Sequence, residues 1–201
     1  MDAASAKVPE DLRAWRKAER TRLIEARMAL PLDQHRAKSE AISRCLHERF
    51  PPESLSLIGC YWPFKREFDC IPFMREVLAA GGAVALPVMV QKNAPLIFRP
   101  WTPQTKMQKV VWNILEPAEG PAVEPAALLI PVVGFDKDGY RLGYGAGFYD
   151  RTIASFAKRP VTIGVGFELQ RLQTIHPQPH DIPLDYIITE EGVVREEIAG
   201  P

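Results

Sequence analysis

The chain has little that would tie it to a membrane, a disulfide framework or a nucleic acid. No run of about 18 apolar residues is present to span a bilayer. The opening stretch MDAASAKVPEDLRAW has no apolar core of the kind a secretory signal needs, so a cytoplasmic protein without a membrane partner is expected. Cys45, Cys60 and Cys70 are odd in number and include no Cys-x-x-Cys pair, which argues against a disulfide framework or a structural zinc site and leaves free thiols. With 25 basic and 25 acidic residues the formal charge is zero, so the basic excess of a nucleic-acid-binding domain is missing and any anion must be met locally. His176 and His180 stand four apart in HPQPHD, but two prolines interrupt them and exclude a helical two-histidine metal site; both read as loop residues. No Ser/His/Asp or Cys/His order suggests a hydrolase.

What is there fits one domain over residues 1–201, with residues 1–8 as a flexible N-terminal tail; a monomer is expected, with a dimer as the alternative. Residues 10–29 and 32–50 are rich in Arg, Ala, Glu and Leu without interior Gly or Pro beyond Pro31, which predicts a pair of helices. Apolar runs follow at SLSLIGCYW, AVALPVM, LIFRPW, ALLIPVVGF, VTIGVGF and DYIIT. Helices are predicted around residues 72–80 and 149–156. Several runs are continuous rather than alternating, as in strands buried on both faces. The fold class expected is therefore α/β, a three-layer open and mostly parallel sheet with helices on both faces. The prolines at 117–125 and 177–183 read as wrapped loops.

The densest information lies in residues 128–151, LLIPVVGFDKDGYRLGYGAGFYDR. Gly143, Gly145 and Gly147 alternate with Tyr144 and Ala146, so backbone without Cβ bulk can approach an anion, and a helix opening near Phe148 would point free N–H groups the same way. Hairpin punctuation beside the Asp-Gly turn is the alternative. The third glycine of a dinucleotide fingerprint is absent, and no Lys-Ser or Lys-Thr follows as in a Walker loop.

The string FDKDGYRLGYGAGFYDR is similar to the signature of the 5-formyltetrahydrofolate cyclo-ligase family, Phe-Asp-x-x-Gly-x-Arg-Leu-Gly-x-Gly-x-Gly-aromatic-Tyr-Asp. The resemblance continues in order along nearly the whole chain. It includes the basic N-terminal helix, the loop at 61–69, the Trp-Asn-Ile-x-Glu-Pro string at 112–117 and the His-Asp-Ile-Pro-Leu-Asp string at 180–185.

The resemblance implies ATP-dependent conversion of 5-formyltetrahydrofolate to 5,10-methenyltetrahydrofolate, with ATP as cosubstrate, magnesium as cofactor and small molecules as the only partners. It assigns phosphate contacts to Arg16 and Arg20, which the i, i+4 spacing puts on one helix face, where a solvated charged face is the alternative. Arg16 stands where the family more often has Lys, and Lys17 and Arg22 nearby leave the register open. Arg141 opens the glycine loop and is a phosphate ligand candidate or a surface charge. The loop itself, Gly143, Tyr144, Gly145, Ala146 and Gly147, with Phe148 and Tyr149 after it, is assigned to ATP; some relatives carry Lys or Arg inside this loop, and this chain does not.

Glu67 and Arg141 are the expected catalytic pair. Tyr61, Trp62, Glu67, Trp112, Tyr144 and Phe148 are assigned to the folate, and the first three follow a strand, where open α/β sheets place ligands. Asp150 and Asp185 are assigned to magnesium, although from the residues alone either could be a helix cap or a turn acid.

Overall fold

The computed structural model describes residues 8–110 and 113–197; the expected N-terminal tail, apart from Val8, and the folate-pocket candidate Trp112 lie outside the described residues. The helical pair is α1 (Leu12–Ala29) and α2 (Leu32–Arg49). Asp11 starts α1 by accepting the otherwise unpartnered Ala14 N–H at 2.9 Å.

Along the chain the strands are β1 (Leu57–Gly59), β2 (Ala83–Val88), β3 (Ile97–Trp101), β4 (Met107–Lys109), β5 (Leu115–Pro117), β6 (Ala127–Pro131), β7 (Gly134–Phe135), β8 (Arg141–Leu142), β9 (Val161–Val165), β10 (Tyr186–Thr189) and β11 (Gly192–Glu196). Helix α3 (Ile71–Ala79) follows β1 and α4 (Phe148–Ser155) follows β8. Seven strands form one sheet in the order β11-β10-β9-β6-β1-β2-β3. Its interior pairs are parallel, and only the edge strands β3 and β11 run antiparallel to their neighbours.

Burial on both faces explains the continuous apolar runs. In β6, Ala127 and Leu129 join one core cluster while Leu128 and Ile130 join the other. The first cluster takes in Ile42 and Leu46 of α2 with Phe73 and Val77 of α3, and the second takes in Ile153 of α4. Helices therefore cover both faces, as expected. Numbered among themselves, the parallel strands run 2-1-3-4-5, so the chain order reverses between β1 and β6 and a crevice opens beyond their carboxyl ends.

Two apolar runs are interrupted. Residues 127–135, expected as one strand, split because β6 stops at Pro131, which has no N–H to continue a ladder, and β7 pairs instead with β8 in a separate hairpin. The carbonyls freed at the break are met by Gln170, whose Nε2 donates to Val132 O and Val133 O at 2.8 Å each. The first run yields only the three residues of β1, since Pro52–Ser54 forms a 3-10 turn ahead of it. Strands β4, β5, β8 and β11 lie beyond those the apolar runs indicate; the residues of β4 and β11 are half-buried or exposed, and β5 and β8 are short.

Candidate active site

The crevice at the carboxyl ends of β1 and β6 holds a cavity of about 350 Å³. Tyr61 and Trp62 after β1, Pro131 at the end of β6, the glycine loop, the first turn of α4 and the arginine face of α1 line it. Met89, Leu96, Val110, Ile114 and Leu115 add an apolar wall. Most of the residues singled out from sequence meet here, although they come from chain segments more than 100 positions apart.

The string 134–151 does two jobs in succession. Its first half is a hairpin turn held by buried Asp136, whose Oδ1 accepts the Asp138 and Tyr140 N–H groups and whose Oδ2 accepts Ile175 N–H, each at 3.1 Å. Its second half leaves β8 as the open loop 143–147 and turns into α4 at Phe148. Gly145 has φ +100° and Gly147 φ +64°, left-handed conformations that side chains with a Cβ adopt at a cost. The N-terminus of α4 thus faces the cavity with the loop, an arrangement suited to an anion.

Three arginines approach this loop. Arg141 is 7% exposed; Nη1 donates to Ile182 O at 2.8 Å and Nη2 to Asp150 Oδ1 at 3.0 Å. Burial lowers the Arg141 pKa and Asp150 opposes the shift, so the cation is held in place by its own carboxylate. Arg16 is similarly engaged, donating to Ile175 O and His176 O and pairing with Asp181 Oδ2 at 2.6 Å. Arg20 differs. Its Nε donates to Gly143 O at 2.8 Å, while Cζ and Nη1 hang 3.5 Å from where a Cβ on Gly145 would stand. Burial and then Arg16 lower the Arg20 pKa while Asp181 opposes them, as for a half-buried cation crowded by another.

The loop after β1 is shaped to present Glu67. Lys65 and Arg66 take successive left-handed conformations, φ +47° and +56°. Glu67 Oε2 closes the turn by accepting Phe64 N–H at 2.9 Å, and Tyr61 Oη donates across the loop to Phe68 O at 2.7 Å. Glu67 is 5% exposed, and Tyr144 Oη donates to its Oε1 at 2.7 Å. Burial pushes the Glu67 carboxyl above its ordinary pKa, while Arg27, Tyr144 and the Phe64 N–H pull it back. Trp62 packs edge-on against Trp101 with ring centroids 6.4 Å apart, and Phe64 tilts over Tyr144 at 5.9 Å. Phe148 and Tyr149 are half-buried at the cavity, where burial raises the Tyr149 hydroxyl pKa.

Asp150 and Asp185, the pair assigned to magnesium, sit in different surroundings. Asp185 is not among the cavity residues: Oδ2 accepts Thr162 N–H and Oγ1–H at 2.8 Å each, and Oδ1 pairs with Arg159 at 2.8 Å. It clasps the start of β10 to β9. Asp150 does line the cavity, and both its hydrogen bonds, from Arg141 Nη2 and Ile182 N–H, land on Oδ1. Among the described residues no group of three or more His, Cys, Asp or Glu side chains could hold a metal alone. One or two carboxylates suffice for magnesium, which keeps waters and shares substrate phosphates, so Asp150, through Oδ2, fits the group.

Sequence reading missed Asp181, the partner of Arg16, and Arg27, which is 1% exposed. A signal for Arg27 existed. Arg16, Arg20, Leu23 and Arg27 follow the 4-3-4 spacing of a buried helical stripe, with arginine at three positions where apolar residues are usual.

The family model described as the 5-formyltetrahydrofolate cyclo-ligase family matches residues 12–190. The 5-formyltetrahydrofolate cyclo-ligase of Mycoplasma pneumoniae is 29% identical over 177 residues, 88% of this chain and 99% of the relative. That of Escherichia coli K12 is 29% identical over 175 residues, 83% and 95% respectively. The NMR structure of Aquifex aeolicus 5,10-methenyltetrahydrofolate synthetase superposes with a TM-score of 0.78 at 28% identity, covering 92% of this chain and 94% of that one. With the glycine loop, the arginine stripe and the buried Glu67 converging on one crevice, the chain belongs to the 5-formyltetrahydrofolate cyclo-ligase family.

Proposed function

We propose that this protein, a cytoplasmic monomer, catalyses the ATP-dependent conversion of 5-formyltetrahydrofolate to 5,10-methenyltetrahydrofolate with release of ADP and phosphate. The observation that carries the reading is the meeting, in one cavity, of an anion-receptive loop with a crowded Arg20 and an aromatic, apolar wall around a buried carboxylate. The first suits a triphosphate. The second suits a flat reduced pteridine with N–H donors.

In this reading the formyl oxygen attacks the γ-phosphorus and ADP leaves. N10 then adds to the activated formyl carbon and loses its proton, and phosphate departs with the former formyl oxygen as the ring closes. The chain's task is positioning and charge neutralisation rather than covalent catalysis. Arg20 and the 143–147 backbone hold the phosphates, and Arg141, fixed by Ile182 O and Asp150, presents a rigid buried cation. Glu67 orients the folate, with Tyr61, Trp62 and Phe148 packed around the ring. Asp150, through Oδ2, would hold magnesium, which would supply positive charge to neutralise the phosphates.

The test is methenyl absorbance on mixing the protein with 5-formyltetrahydrofolate and magnesium, with and without ATP, alongside ADP quantification. Product that requires ATP, with equimolar ADP, is expected. A folded protein that binds ATP or folate without forming product would instead be a silent binder, and failure to bind either would overturn the site.

A further inference from the structure

Seven residues beyond Arg20 on the same face of α1, hence roughly 10 Å along the helix, Arg27 enters the part of the site that holds Glu67. Its guanidinium joins segments distant in sequence. Nε donates to Lys65 O at 3.0 Å, Nη1 to Val132 O at 3.5 Å and Nη2 to Tyr144 Oη at 2.8 Å. The same Nη2 lies 3.8 Å from Glu67 Oε1. Having accepted from Arg27, the Tyr144 hydroxyl donates onward to that oxygen at 2.7 Å. Charge therefore reaches the carboxylate directly through space and by a relay through the glycine loop.

Resting on the cyclo-ligase reading, we propose that Arg27 is a positioning residue that holds Glu67 as an oriented anion for the N–H donors of the reduced folate. Through Tyr144 it also couples the loop that meets phosphate to the loop that meets folate. A carboxylate buried to this degree is costly unless paired and hydrogen-bonded. The other titratable groups facing Glu67 are Tyr61 and Cys70 from its own segment, Tyr144 from the glycine loop and Tyr149 from α4. All are neutral near pH 7, since burial raises each of them. Lys65 is exposed, with its ammonium over the Phe64 ring at 5.3 Å, so Arg27 is the cation that acts on Glu67 among the described residues. Its bond to Lys65 O also secures the first of the two left-handed residues that aim Glu67.

The sign of the consequence is fixed. Burial raises the Glu67 carboxyl and Arg27 is the largest opposing influence, so removing Arg27 shifts protonation of Glu67 to higher pH. Folate binding that needs the anion then fails at a higher pH than in the wild type.

The experiment measures the folate KM against pH at saturating ATP for full-length Arg27→Met, Arg27→Lys and Tyr144→Phe. In parallel, the Glu67 side-chain carbon is titrated by NMR, assigned with Glu67→Gln. For Arg27→Met the folate KM near neutral pH should rise on the order of 10- to 100-fold, the scale on which losing an outer partner of a ligand-holding group acts. The ATP KM should change by less than about threefold. The acid limb should move up in pH, Arg27→Lys should restore part of the shift, and Tyr144→Phe should move it the same way by less. A pH-independent loss in every parameter, or an unmoved acid limb, would overturn the proposal. Should Arg27→Met fail to fold, Tyr144→Phe decides the matter, because it removes one oxygen and keeps the ring against Phe64. Wild-type turnover with an unmoved Glu67 resonance overturns this inference alone. A moved resonance alongside a wild-type protein that forms no methenyl product overturns the functional reading instead.

Discussion

The two charged parts of the cavity are built on opposite plans. Around the glycine loop, Arg16 and Arg141 are already engaged by Asp181 and Asp150, and Arg20 keeps one hydrogen bond to Gly143 O with its outer nitrogens over the loop. Around Glu67, the carboxylate has a cation at 3.8 Å and hydrogen bonds to both oxygens. The contrast separates charges that build the site from charges that await a ligand: a buried ion with an internal partner is a fixed piece of the wall, and a crowded cation without one is a place for an anion.

The sharpest way to break this distinction is Arg141→Ala. It removes a wall cation and strands Asp150 and Ile182 O, so turnover should fall by about 100- to 1,000-fold, the cost of losing one preorganised charge-stabilising donor. Thermal unfolding should report lower stability as well. Unchanged steady-state kinetics would take Arg141 out of the site.

Arg20→Ala sharpens the other side of the contrast. As a ligand-facing cation it should raise the ATP KM by roughly 10- to 100-fold, the scale of a hydrogen bond to a charged group. Thermal stability should hardly change. An equal loss of stability would place Arg20 with the wall arginines.

A smaller effect separates the two aspartates. Asp150→Asn should raise the magnesium concentration needed for half-maximal rate, whereas Asp185→Asn should leave it unchanged and cost about 1–3 kcal/mol through the stranded Thr162 donors. A magnesium shift in Asp185→Asn would place it at the metal together with Asp150.

Smallest is the pair Gly145→Val and Gly143→Ala. At Gly145 the obstacle is φ +100°, worth about 1–3 kcal/mol of backbone strain. At Gly143 a Cβ meets nothing within 4 Å. Nucleotide affinity should therefore drop for the first and hold for the second, as measured by calorimetric titration of ATP. Equal losses would mean that bulk, and not conformation, governs the loop.

Much of this was legible in the chain. The parallel strands announced themselves as apolar runs because burial on both faces demands them, and the glycine loop was visible because alternating glycines are a local signal. What was not legible shares one physical cause, partners that lie far away in sequence. Asp185 sits in a string that implies a metal ligand, and nothing in that string announces the two hydrogen bonds it accepts from Thr162 on β9. Arg27 stands in a helix full of arginines, and only the 4-3-4 stripe marks it as buried. The break after Pro131 depends on Gln170, 37 residues beyond Val133, to cap the freed carbonyls.

The most direct measurement follows the oxygen. With 5-formyltetrahydrofolate labelled with heavy oxygen in the formyl group, direct transfer between two substrates held in one cavity predicts that the released phosphate carries the label, one labelled oxygen per methenyl product formed. Unlabelled phosphate formed alongside product would mean that water and not the formyl oxygen attacks ATP, which would contradict the account.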